Sequence, residues 1–462
     1  MTRREWLSLA LITGTVLLPA SCGGDEDEER PPQQEPSTGN ANALEAAKEL
    51  RQFTLAYLEH PYAVNPPKPS ILGRDVKSGW DSGSIPGARE GSTLQLVPMP
   101  HKTDERYQLL GLATAVEYLR ATAAADSSVA DVVWLPSLAQ IMELMRTELL
   151  APLERWLQSD NANPLDAFSE EARRLVRVRG RIRGLPLSIA PGVLGHNASF
   201  FERANVAGPT PDWKWQDFID AGNRLTVDAN EDGDPEQYGF SLNWDFPDWE
   251  PLLLQEGGEI IDLDTGLISI EGPATERALT AWDELGRVHG MHPYGPEVTE
   301  LDLRGFEDDT KPSAMRFSRF KKNPWSYRPD ITPMPSGSNG TTPLSLEEVI
   351  AVPAAGDVEG AYEVLVPLAH WIGERRVLPA VTAGWQYLEQ PDTDHFDLIL
   401  PKPLQVAALA GLDHGKASYA ASSPMIPYHL FHQVTLPLAR GEVGIEQAID
   451  QATNWLQSYL AE

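Results

Sequence analysis

Residues 226–240 read TVDANEDGDPEQYGF. Asp228, Glu231, Asp232, Asp234 and Glu236, with Asn230, Gly233 and Pro235 among them, make a polar, turn-rich loop, and Tyr238-Gly239-Phe240 then opens a strand. Ahead of the loop, Thr210-Pro-Asp-Trp213 and Asp217-Phe218 supply a helix N-terminus by their capping chemistry. The order is helix, acidic loop, buried strand. Toward the N-terminus, Thr93–Val97 is a short strand followed by a helix over 104–124, and Asp131–Leu135 is an apolar run of the kind found in buried parallel strands. The next segment, LAQIMELMRTELLAPLERWL at 138–157, has helical spacing of its apolar side chains. Within 43–58, LEAAKEL has helical composition and QFTLAYL suits a first strand. Strands alternating with helices predict an α/β fold with a largely parallel sheet, its ligand-facing loops at the strands' C-terminal ends.

The chain has 462 residues, enough for two or more domains, and its hydrophobic content of 42% with 13 Trp predicts a globular protein. A formal charge of -30 argues against nucleic acid as a partner, because phosphates require a basic surface. The first residues, MTRREWLSLALITGTVLLPASCGG, carry two arginines, an apolar run from Leu7 to Leu18 and small residues before Cys22, the single cysteine. That run is shorter than the roughly 20 residues a membrane span needs, and reads as a signal peptide ending near residue 22. Residues 23–42, GGDEDEERPPQQEPSTGNAN, have no large apolar side chain and are expected to form a disordered tether.

Several stretches, in order, resemble the extracellular solute-binding proteins of ABC transporters, the family that includes maltose-binding protein. They are ADVVWL with its helix and the following LLAPLERWL, GLPLSIAPGVLGHNASFFERANVAGPTPDWKWQDFIDAGNRLT (184–226), the acidic loop with its YGF strand, and GGEIIDLDTGLISIEGPATERALTAWDEL (257–285). Lys311–Met315 and 331–340 continue the series, so the resemblance runs from roughly 93 to 457. Cys22, after Ala20 and Ser21, resembles a lipobox cysteine, with Pro19 where leucine is usual.

The resemblance implies a periplasmic-binding-protein-like type II fold: two α/β lobes joined by a hinge, with a cleft between them. Lobe 1 would comprise 43–188 plus 346–378 and lobe 2 189–345 plus 379–462, with crossings near Ser188–Pro191, Leu344–Leu346 and Leu378–Thr382. The implied function is a substrate-binding lipoprotein, anchored through Cys22 to the cell envelope, monomeric and not an enzyme, that delivers a small solute to membrane permease subunits. The aromatic content favours a mono- or oligosaccharide, since sugar clefts need flat aromatic faces and short polar groups. Trp134, Ser137, Ser188, Trp244, Asp245, Trp249, Arg316 and Tyr428 are the expected ligand-binding residues, Trp249, Tyr428 and Trp134 foremost. Arg316 and Arg319 depart from the family's pattern and would suit an acidic sugar. Two other classes stay open, a ligand-presenting receptor for a membrane sensor kinase and an envelope-anchored glycosidase.

Asp228, Asn230, Asp232, Gly233 and Asp234 stand at the first, third, fifth, sixth and seventh positions of a calcium loop, but the twelfth is Gly239 where a glutamate is required. An Asx-rich turn is the simpler reading, with calcium, completed by a distant carboxylate, as the alternative; no other cofactor is expected. No GxSxG, HExxH or CxxC pattern occurs. His429 and His432 lie three apart on a helix. The basic run RRLVRVRGRIRGLP (173–186) is out of character with the acidic chain, and in a strand its arginines would share one face.

Overall fold

In the computed structural model the strand order follows from two long apolar strands that serve both ends of one sheet. The structure describes residues 51–57, 71–99, 107–124, 130–136, 141–159, 163–243, 245–304, 312–320, 330–336, 341–376, 378–386 and 402–461. The strands are β1 (Gln52–Tyr57), β2 (Thr93–Pro98), β3 (Val132–Pro136), β4 (Arg177–Val178), β5 (Arg181–Ile182), β6 (Leu185–His196), β7 (Tyr238–Ser241), β8 (Ser313–Arg319), β9 (Asp330–Pro333), β10 (Thr342–Ala351) and β11 (Gly415–Ala417). Their order in the large sheet is β2-β1-β3-β10-β6-β8-β7, with β11 beside β10 and β9 beside β6.

All twelve residues of β6 are buried. Its first half, Leu185–Pro191, pairs antiparallel with Leu344–Ile350 of β10, and its second half, Gly192–His196, pairs antiparallel with β8. One half of the sheet is therefore built on β1, β2 and β3 and the other on β7, β8 and β9, with β6 and β10 between them. The pairs β1 with β2 and β3, and β7 with β8, are parallel, as helix crossovers require. The connecting strands are antiparallel to their neighbours, so the sheet is mixed rather than largely parallel.

On the β1–β3 half lie α1 (Ile71–Asp81), α2 (Tyr107–Ala124), α3 (Ile141–Met145), α4 (Glu154–Ser159) and α5 (Glu170–Leu175). The single helix expected over 138–157 is two short ones. Pro152 cannot continue a helix, and the intervening chain instead joins the sheet's edge: Leu150 bridges Pro353, and the Ala151 amide donates to the Val352 carbonyl at 2.8 Å.

The β7–β9 half carries α6 (Ala198–Ala204), α7 (Trp215–Leu225), α8 (Glu250–Gln255) and α9 (Pro273–Arg287). In α7, Phe218, Ala221, Gly222 and Leu225 are buried, an apolar stripe at helical spacing, and Asp217 accepts from the Lys214 amide at 2.8 Å to close the N-terminus. Phe218 packs with Phe240 and Phe317 at ring separations of 5.3 Å each, and Phe240 meets Phe317 at 4.7 Å. Between α7 and β7 the backbones nearly touch. A Cβ on Gly239 would lie 2.2 Å from the Gly222 carbonyl oxygen, so the glycine of YGF is a packing requirement. Residues 358–386 return to the first half through α10 (Val358–Glu374). The chain ends with α11 (Lys402–His414), α12 (Tyr419–Ser422), α13 (Met425–Leu430) and α14 (Ile445–Ala461), of which α14 packs on α9. No described helix is long and apolar enough to cross a membrane.

Candidate ligand cleft

Where β6 and β10 pass from one half of the sheet to the other, the sequence breaks an otherwise apolar strand with Ser345, Glu347 and Glu348. The register with β6 slips on either side of Glu348, a bulge that interrupts the ladder at the crossing. Each glutamate takes a different partner. Glu347 accepts from Arg319 Nη1 of β8 at 2.8 Å and from Ser345 Oγ at 2.8 Å. Glu348 binds Arg376, beyond the end of α10. Burial pushes the Glu348 carboxyl up, against the pull of the Arg376 guanidinium.

Trp134, in the middle of β3, stands beside this pair. It is half-buried, and the Arg376 guanidinium carbon lies 5.6 Å from its ring centroid. Arg376 therefore covers part of the expected sugar-stacking surface.

The loop after β7 closes the other side. Asn243 Nδ2 donates to Asp245 Oδ2 at 2.8 Å, the Arg319 amide donates to the same oxygen at 3.0 Å, and Arg319 Nη2 stands 3.7 Å from Asp245 Oδ1. Asp248 accepts the Asn243 amide at 3.1 Å, and burial raises its carboxyl well above the usual carboxylate range despite the nearby charge of Arg316. Arg319 is held cationic by Glu347 and Asp245, in spite of its burial. Opposite charges at the crossing are paired: Arg376 with Glu348, and Arg319 with Glu347 and Asp245. Groups so compensated donate and accept hydrogen bonds without leaving a net charge to be matched.

Of the expected site residues, Asp245 belongs to this cluster and Trp134 borders it. Arg316 is 3% exposed, on β8 between Gly195 and Ser241, and acts from inside the protein. Ser188 is also buried and donates to the Leu378 carbonyl at 3.0 Å, joining two crossing segments. Trp249 is a correction: at 0% exposure it is a core residue at the start of α8, and its ring offers no face to a ligand. Its spacing within NWDFPDWE marks the turn into α8, which buries it. Tyr428 on α13 is 40% exposed, with edge contacts to His429 at 5.3 Å and His432 at 4.8 Å, so its ring remains accessible. Ser137, Trp244 and Cys22 lie outside the described residues. Sequence reasoning missed Glu347, Glu348, Arg376 and Asn243. The one signal was the Glu-Glu pair inside the apolar run PLSLEEVIAV.

The acidic loop uses its side chains on its own backbone. Asp228 accepts from the Gly233 amide, Asn230 from Asp232 and Asp232 from Asp234, each at 2.9 Å, and Glu236 accepts from Ala229 at 2.8 Å. Among the described residues no group of three or more His, Cys, Asp or Glu side chains has the geometry to hold a metal ion. His429 stacks on Trp455 at 4.6 Å, and His432 lies 3.7 Å from Glu300. The basic run splits between α5 and the β4–β5 hairpin. Arg177, Arg179 and Arg181 are exposed there, whereas Arg183 is buried against the Leu150 carbonyl and Glu148.

Residues 114–298 match the sequence model of the bacterial extracellular solute-binding proteins. That segment holds α7, the acidic loop and β7. Solved structures share its fold over most of their length. A cyclic α-maltosyl-1,6-maltose binding protein from Arthrobacter globiformis superposes with a TM-score of 0.62 at 16% identity, covering 89% of this chain and 99% of the other. An ABC substrate-binding protein from Listeria monocytogenes in complex with cycloalternan gives 0.58 at 17% identity, with 89% and 99% covered. A maltose-maltodextrin binding protein from Alicyclobacillus acidocaldarius gives 0.53 at 17% identity, with 88% and 100% covered. No match was found among curated protein sequences. The chain thus shares a mixed α/β fold with these solved solute-binding proteins.

Proposed function

We propose that this solute-binding protein captures a neutral mono- or oligosaccharide between its lobes and delivers it to the permease of an ABC importer, with no chemistry on the ligand. The observation that carries the reading is the hinge crossing, where β6 and β10 bring half-buried Arg–carboxylate pairs next to Trp134. Such pairs suit hydroxyl groups. Arg319, taken up by Glu347 and Asp245, does not offer the free cation that an acidic sugar would require, and a neutral ligand fits better. The relatives are named for maltose, maltodextrins and cyclic glucans, which supports the same class, and they are binding proteins rather than enzymes. The kinase-receptor and glycosidase readings gain nothing from them.

In this proposal lobe 1 is 43–188 plus 346–378 and lobe 2 is 189–345 plus 379–462. The ligand stabilises the closed arrangement through contacts that only that arrangement makes. Cys22 carries a lipid anchor, 23–42 is its tether, and the protein works as a monomer at the outer face of the membrane. The test is a thermal-shift screen of the full chain against maltose, maltotriose, maltotetraose, cyclic glucans, glucuronate and spermidine. A ligand at about 100 times its dissociation constant adds about 2.7 kcal/mol to stability. A saturable response to a neutral carbohydrate, weakened in Tyr428→Ala, is expected. Responses confined to glucuronate or spermidine would overturn the assignment.

A further inference from the structure

One buried carboxylate takes no part in the Arg–carboxylate pairs of the crossing. Glu143 sits on α3, in the β1–β3 half, and is 5% exposed. Its Oε1 accepts hydrogen bonds from Ser423 Oγ, just after α12, and from Tyr459 Oη of α14, the helix that packs on α9 of the β7–β9 half. Arg146, one turn on, donates from Nη2 to the carbonyl oxygens of Leu460 at 2.8 Å and Tyr459 at 3.3 Å, and its guanidinium lies 5.2 Å from the Tyr459 ring centroid. Two side chains of one lobe thus hold the C-terminal end of a helix of the other. Burial of Glu143 raises its carboxyl above the ordinary range, which the two hydroxyl donors oppose.

Tyr459 is not an isolated contact. Its ring stacks on Trp455 at 5.1 Å with an 18° interplanar angle, Trp455 stacks on His429 at 4.6 Å and 24°, and His429 meets the exposed Tyr428 edge-on at 5.3 Å. α13 and α14 are fastened together by this column, and Tyr428 and Tyr459 are carried on one body.

We infer that Glu143 and Arg146 form an interlobe latch that, by seating α14, sets how readily the lobes separate. The inference rests on the two-lobe binding reading above and names its closure contacts. Separating the lobes strips Glu143 of both hydroxyl donors and frees the helix end that Arg146 holds. Glu143, Arg146 and Tyr459 are therefore positioning residues that act on the arrangement of the lobes.

The test uses the full chain without sugar, so it stands apart from any failure to find a ligand. Small-angle scattering and thermal melting are measured for the wild type, Tyr459→Phe, Glu143→Gln and the double variant. Tyr459→Phe keeps the stacked ring and removes one donor to a buried carboxylate, which corresponds to about a tenfold or greater rise in the open-to-closed ratio. The radius of gyration is expected to increase in each single variant. The double variant should add less than the sum, because both changes break one contact. A lowered melting temperature with an unchanged scattering profile would assign the cluster a purely structural role and overturn the latch. An unchanged profile and an unchanged melting temperature would overturn it as well. Should Glu143→Gln fail to fold, Ser423→Ala removes the other donor and is read in the same way.

Discussion

Individual residues separate packing from recognition. Trp249 and Tyr428 read alike in sequence, each an aromatic near a Pro-containing turn, yet one is fully buried and the other 40% exposed. Trp249→Ala should cost about 3–5 kcal/mol of stability, as removal of a large core aromatic does, which chemical denaturation will show as a lowered midpoint. Tyr428→Ala should leave the midpoint within about 0.5 kcal/mol and weaken carbohydrate binding by about tenfold, measured by calorimetry. Glu250 makes a third case. It is 2% exposed on α8, accepts from Ser418 Oγ, and burial pushes its carboxyl to about 8 from an ordinary value of 4.5. A group whose pKa is raised on folding contributes its full stability below its unfolded value and loses it as pH rises through the folded value. The melting temperature should therefore fall between pH 4.5 and 8, and Glu250→Gln should flatten that fall. A slope unchanged in the variant would show that other groups carry the pH dependence.

Elements show what was legible in the sequence and what was not. The acidic loop and YGF strand stand where the pattern put them, because turn chemistry, a capped amphipathic helix and an aromatic strand all act over a few residues. Gly239 is the sharpest instance. Its missing Cβ leaves room for the Gly222 carbonyl, so Gly239→Ala must push α7 from β7 and should lower stability by about 1–3 kcal/mol or more. β2 and β3 were readable as short apolar runs, whereas β1 lies in a stretch whose composition suits both helix and strand. The helix expected over 138–157 failed at Pro152, where pairing with the end of β10, distant in sequence, displaced helical periodicity. The hinge cluster failed for the same reason. Glu347, Glu348, Arg319 and Arg376 are brought together only by the long-range pairing of β6, β8 and β10, and nothing local announces their partners. Glu347→Ala would leave Arg319 buried with only Asp245 beside it, a loss expected to cost about 3 kcal/mol in a denaturation experiment.

On the scale of the whole molecule, two half-sheets share two strands, and the same strands carry both the hinge and its charged lining. A formal charge of -30 adds self-repulsion to that architecture. Raising the salt concentration from about 0.05 to 0.5 M should therefore increase the melting temperature, since the screening length falls from more than 10 Å to a few ångströms. The central claim is that a neutral carbohydrate is captured by closure of the lobes about β6 and β10. Its most direct test is small-angle scattering of the full chain with and without a saturating malto-oligosaccharide identified by the thermal-shift screen. The account requires the radius of gyration to contract on binding. Saturation of the site with no change in the scattering profile would contradict it.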